Sequence, residues 1–197
     1  MLQDLPREEV TRLLGSWSQP KGSAEAYEWF RPKGEQRFWP KYVWKGYIPP
    51  KYSFTTWQAV KGRLMTRDRL TFLDIDRLCP LCALEPESVS HLYFKCVKTK
   101  FVWQGIKLWL GIRRPLTTIP SAIKWMAREN FGSAVKKRAK WIALAALVSL
   151  IWRGRNALIF DETPFDPERL LFQIKRITYS VLYSMFSDDL VVSALRG

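Results

Sequence analysis

All three cysteines and the only histidine of this 197-residue chain fall within one short stretch: Cys79, Cys82, His91 and Cys96, spaced C-x2-C-x8-H-x4-C. No other feature restricts the fold so tightly. A tight turn can bring the sulfurs of two cysteines separated by two residues to one point, and Pro80 suits such a turn. His91 and Cys96 are expected to supply the other two corners, from a short helix and the residue just beyond it. Three thiolates and one imidazole make a closed tetrahedral site with no open position for substrate, so the spacing predicts one structural Zn2+. The alternative, three buried reduced cysteines and a satisfied histidine, leaves unexplained why every soft ligand gathers in one window. A thioredoxin-like redox use of Cys79 and Cys82 lacks its βαβ context. Zinc binding to small finger peptides is worth about 10–16 kcal/mol near neutral pH, so this segment is expected to fold only with metal.

The rest of the composition narrows the class. An odd, small number of cysteines excludes a disulfide scaffold. A chain that is 47% hydrophobic, with ten tryptophans, is far from the composition of a disordered one. The formal net charge is +14, and residues 101–150 carry nine basic groups against a single acid, Glu129. Such an excess points to a polyanionic partner, nucleic acid before membrane. The longest apolar run, Trp141 to Trp152, has 12 residues, against the roughly 20 of a spanning helix. The N-terminus has no continuous apolar stretch, and Asp4, Glu8 and Glu9 argue against a mitochondrial transit peptide. An intracellular, reducing compartment is expected, with no membrane partner and no small-molecule substrate.

The pattern of apolar residues predicts a mainly α protein: a small helical domain with a CCHC zinc site, followed by a helical C-terminal region. Residues 1–48 form an irregular Trp-rich region broken by Gly and Pro, residues 49–112 the zinc-binding domain, and residues 113–197 the helical remainder. Helices are expected over Tyr52–Leu64 and Arg67–Asp74, the latter with Thr66 as N-cap. Val102, Ile106, Trp109 and Leu110 lie on one helical face within Val97–Leu110. Pro115 and Pro120 mark a linker. A long helix is expected over Ser133–Phe160, and a last one starting at Asp166-Pro167, where Asp at N-cap and Pro at N1 form a start signal.

Two basic sets are candidates for nucleic-acid contact. One is Lys51, Lys61, Arg63, Arg67 and Arg69 before the zinc loop, with Lys95, Lys98 and Lys100 after it. The other is Lys136, Lys137, Arg138 and Lys140, with Lys124 and Arg128 upstream. Cations near phosphates release condensed counterions, which makes binding strong and salt-dependent. Trp103, Trp109, Trp125 and Trp141 lie near these charges and are expected to serve mainly the core. Nothing in either set reads bases, so recognition of backbone and shape is expected.

The segment Pro49 to Ile112 resembles the zinc-binding domain of plant LINE-type reverse transcriptases, those of non-LTR retrotransposons. The shared signature is Pro50, Lys51, Phe54 and Trp57, then Arg63-Leu64 and Thr66-x-Asp68-x-Leu70. It continues through the two cysteines, Glu87-Ser88, His91-Leu92, Phe94, Cys96 and Trp103. Weaker similarity extends upstream through Ser23–Tyr27 and Phe38–Lys45, and downstream through Ile151-Trp152, Arg155-Asn156 and Ile159-Phe160. The resemblance implies a C-terminal module of a retrotransposon polyprotein that binds nucleic acid and assists target-primed reverse transcription, with the nucleus as its compartment; an organelle is left open. The chain has no room for a polymerase palm or an endonuclease. Phe186-Ser187-Asp188-Asp189 mimics a polymerase metal box but lacks the second metal-binding Asp in a preceding strand, so its acids are expected to be solvated. A stand-alone, non-catalytic zinc module, domesticated or relic, binding RNA or single-stranded nucleic acid through phosphates, is therefore expected. The alternative is an adaptor subunit of a ribonucleoprotein assembly, docking through Trp17, Trp29, Trp39 and Trp44 or through the 141–152 helix.

Overall fold

Residue after residue from Trp141 to Ile151 is buried, and that one fact organises the architecture. A helix apolar on every side can sit only at the centre of other helices. The computed structural model describes residues 38–129 and 132–195, and among these it holds seven α-helices and no strand. They are α1 (Pro40–Val43), α2 (Pro50–Val60), α3 (Val97–Leu110), α4 (Ile119–Arg128), α5 (Ala134–Phe160), α6 (Pro167–Tyr183) and α7 (Asp188–Leu195). The central helix is α5, with α2, α3, α6 and α7 packed around it. Mainly helical architecture, as the apolar patterns predict, is what the chain adopts.

Local chemistry sets the ends of these helices. Ser133 Oγ accepts from the Lys136 N–H at 3.2 Å and starts α5. Asp166 Oδ1 accepts from the N–H groups of Glu168 and Arg169, each at 3.0 Å, and starts α6. Gly111 closes α3 in the left-handed conformation, at φ 67°, which glycine adopts without penalty. Within α3, a Cβ on Gly105 would come within 2.5 Å of the Leu171 side chain, so the close approach of α6 to α3 depends on the missing methyl.

Several elements differ from the sequence expectation. Helix α2 runs Pro50–Val60 rather than Tyr52–Leu64, because proline is at home in a first turn and Gly62 turns the chain at φ 62°. Instead of a helix to Asp74 there is only a 3-10 turn, Arg67–Arg69, since the Thr66 hydroxyl bonds the Asp68 side chain and caps no backbone N–H. Pro120 is not in a linker: it occupies the first turn of α4, whose start is a reciprocal Thr118–Ser121 capping box. The segment after α6 adds the unforeseen α7, with Asp188 and Asp189 in its first turn, where the helix dipole favours acids.

Residues 49–112 and 113–195, set apart by the sequence pattern, share one hydrophobic core. By length and apolarity α5 would pass for a membrane span. Its surroundings in the protein are other helices. Residues 141–151 are thereby covered by their own chain, while Trp152 is half-buried. Of the tryptophans considered for docking, Trp39 is buried and Trp44 exposed, while Trp17 and Trp29 lie outside the described residues.

Candidate metal centre

The zinc loop is a small hairpin tied by its own backbone. Cys79 N–H donates to Glu85 O, Ala83 N–H to Cys79 O and Glu87 N–H to Arg77 O, each at 2.8 Å, and Leu78 pairs with Pro86 in an antiparallel bridge. Ala83 takes a left-handed φ of 54° to close the turn. Beyond it, Ser88 Oγ accepts from the His91 N–H at 3.0 Å and opens a single π-helical turn, His91–Lys95. The wide turn ends with Cys96 N–H donating to His91 O at 2.8 Å. His91 thus leaves from the start of a short helix and Cys96 from the residue just past its end, the arrangement the spacing suggested.

The turn and the hairpin bring the Sγ atoms of Cys79, Cys82 and Cys96 and a ring nitrogen of His91 to within 4.8 Å of one another. Cys79 Sγ lies 4.0 Å from Cys96 Sγ, and Cys82 Sγ 3.3 Å from His91 Nε2. A tetrahedron with Zn–S of about 2.3 Å and Zn–N of about 2.0–2.1 Å has edges of roughly 3.5–3.8 Å, so these donors fit zinc in kind and in separation. Cys79 and Cys96 are fully buried, His91 nearly so, and Cys82 half-buried. Cys79, Cys82, His91 and Cys96 would hold Zn2+, which would crosslink the hairpin to the start of α3.

The surroundings prepare the donors. Glu85 Oε2 lies 3.2 Å from His91 Nδ1. Glu85 therefore holds the proton on Nδ1 and leaves the Nε2 lone pair toward the sulfurs, as carboxylates behind metal-bound histidines do. The hydrogen bond from Cys79, opposed by burial and reinforced by the N–H groups of Thr99 and Lys98, holds the Cys96 thiol well below the usual thiol range. The same sulfur contact first, and burial second, push the Cys79 thiol up.

A second cluster binds the loop to the core. Glu87 is fully buried, and Arg155 of α5 grips it with two bonds, Nε to Oε1 at 2.9 Å and Nη2 to Oε2 at 2.7 Å. The Arg67 N–H donates to Glu87 Oε2 at 2.7 Å, so one carboxylate joins the zinc loop, the 3-10 turn and α5. Arg77 Nη1 adds a bond to Arg67 O at 2.7 Å. The sequence motif contains Glu87 and Arg155 but gives no sign that they touch.

Residues 22–103 match the family model described as zinc-binding in reverse transcriptase. The match spans the whole Cys3His cluster and covers less than half of the 197 residues. No curated protein and no solved structure matches the chain. The matched segment is thus similar to a zinc-binding region, and its donors form a group that can hold the ion.

The basic candidates divide sharply. Lys51, Lys61, Arg63 and Arg69 are exposed, as are Lys95, Lys98 and Lys100. Arg67 is half-buried, its guanidinium donating to Leu78 O at 2.8 Å and lying 3.7 Å from Asp76. In the downstream set, Lys140 is only 5% exposed and its Nζ sits 2.6 Å from Glu129 Oε2. Arg138 packs its guanidinium over the rings of Phe186, at 4.8 Å, and Tyr47, at 5.5 Å. Lys136 and Lys137 are half-buried; Lys124 and Arg128 upstream are exposed. Trp103 and Trp141 are buried, stacked on Phe94 and Tyr42 respectively, and Trp109 and Trp125 are partly covered.

Proposed function

We propose that this chain is a non-catalytic, zinc-stabilised nucleic-acid-binding module of retrotransposon origin, taking RNA or single-stranded nucleic acid mainly by phosphate contacts. The observation that carries the proposal is the surface on α2 and the turn after it. The Trp57 ring has the exposed Phe54 stacked on it at 5.6 Å and the Arg63 guanidinium at 5.1 Å, with Lys51 and Lys61 exposed on the same helix and its end. A ring half open to water, set among exposed cations, suits an unpaired base flanked by phosphates. The hydrogen bonds of Arg67 to Glu87 and Leu78 tie this surface to the zinc hairpin, so metal supports it by fixing the chain that leaves α2. The downstream basic run contributes less, because Lys140 and Arg138 are engaged inside the fold. One structural zinc ion, held by Cys79, Cys82, His91 and Cys96, completes the proposal, with the nucleus as the compartment.

The test is fluorescence anisotropy with single-stranded RNA, single-stranded DNA and duplex DNA over a salt series, using zinc-loaded and chelated protein. Tight, zinc-dependent binding to the single strands with a steep salt slope is the expected result, and Lys61→Glu/Arg63→Glu lowers both affinity and slope. Absence of binding by folded, zinc-loaded protein at low salt contradicts the proposal.

A further inference from the structure

Four cations converge on one concavity. Lys51 of α2, Arg153 of α5, and Arg169 and Arg176 of α6 line an open groove of about 1280 Å³, and all four are exposed. Among the described residues none of the four lies within ion-pair distance of an acid; the ion pairs there join Arg67 to Asp76, His91 to Glu85, Lys140 to Glu129 and Arg155 to Glu87. Two aspartates reach the same groove, but Asp166 is committed to the first turn of α6. Along α6 the lining residues Arg169, Gln173, Arg176 and Ser180 recur at helical spacing. They form one polar face, on which the two arginines stand about 10 Å apart along the axis. At the end of α5, Phe160 lines the groove with 75% of its surface open to water.

We propose that this groove is a second contact for single-stranded nucleic acid: the arginines and Lys51 take successive phosphates, and Phe160 stacks on a base. The inference rests on the nucleic-acid reading above and extends it to a surface whose arginines all lie beyond the zinc-binding segment. Like charges brought together from three helices repel one another, and the concave walls focus their field, so the groove attracts a polyanion. An exposed aromatic ring beside them favours unpaired bases over a plain acidic chain. Asn156, which also lines the groove, accepts from Arg155 Nη1 at 3.0 Å, and Arg155 grips Glu87. The groove wall is thereby connected to the zinc hairpin.

The experiment compares the full zinc-loaded chain with Arg169→Glu/Arg176→Glu, with Arg169→Lys/Arg176→Lys and with Phe160→Ala, binding a fluorescein-labelled oligo-uridine strand over a salt series. Helicity and zinc content are checked for each, and Arg153→Glu replaces the double variant if that one fails to fold. The charge-reversed pair is expected to lose roughly 0.7 of salt slope per arginine, the lysine pair to keep the slope, and Phe160→Ala to weaken binding about tenfold. Unchanged slope and affinity in the charge-reversed pair, with binding still lost in Lys61→Glu/Arg63→Glu, overturns the groove and leaves the α2 surface standing. Lack of binding by the unaltered chain overturns both. Competition by poly-glutamate as effective as that by unlabelled strand assigns the groove to acidic protein and overturns its nucleic-acid role.

Discussion

The zinc hairpin and the helix pair α5–α6 solve the same problem by opposite means. Around the hairpin, Phe72, Leu84 and Val97 are exposed, and only a few apolar side chains, Leu81, Leu92 and Tyr93 among them, reach the core, so order there would rest largely on four metal ligands, with three backbone bonds and one buried ion pair. In α5, thirteen consecutive residues, Ala139 to Ile151, are buried, and order comes from area removed from water. The hairpin concentrates its order in a few bonds. The helices spread theirs over many contacts, each replaceable. On this difference, loss of metal is expected to loosen the hairpin while the helical scaffold persists.

The largest effect is expected at the ligands. Cys96→Ala, or chelation of the unaltered protein, removes a site whose metal binding is worth about 10–16 kcal/mol in small peptides. Hydrogen exchange should then become fast over residues 77–96 and stay slow in α5. Equal loss of protection in both regions would show that the two are not separable. Next in size is Arg155→Ala, which leaves the Glu87 carboxylate buried without its partner and should destabilise by about 3–5 kcal/mol in chemical denaturation. Leu147→Ala, at a fully buried position of α5, opens a cavity and should cost about 2–5 kcal/mol without changing zinc stoichiometry. Glu85→Gln should be the mildest: it weakens zinc affinity by about tenfold, read by competition with a chelator, and leaves thermal stability of the zinc-loaded form nearly unchanged because the carboxylate is largely exposed.

These contrasts also decide what the sequence could reveal. The metal cluster is legible because soft ligands are rare and gathered in one window. The starts of α5 and α6 are legible because Ser133 and Asp166 act through neighbours within three residues. Partnerships across long separations are not: Glu87 and Arg155 are 68 residues apart, and nothing in either neighbourhood names the other. Glu85 stands three residues past Cys82, yet its bond to His91 depends on the hairpin's closure. Lys140 looked available for phosphate because it follows Lys136 on one helical turn, but Glu129, eleven residues earlier, turns inward to meet it. The start of α4 was hidden by Pro120, a residue that breaks helix interiors and is welcome in first turns. The groove between α5 and α6 brings in residues of three helices, and only packing could assemble them.

X-ray absorption at the zinc edge of the purified full-length chain tests the account most directly. Three sulfurs at about 2.3 Å and one nitrogen at about 2.0–2.1 Å, one ion per chain, is the expected first shell. A shell with fewer sulfurs and a water-derived oxygen, or folded protein carrying no metal, would contradict a closed structural centre and with it the division of labour between hairpin and helices.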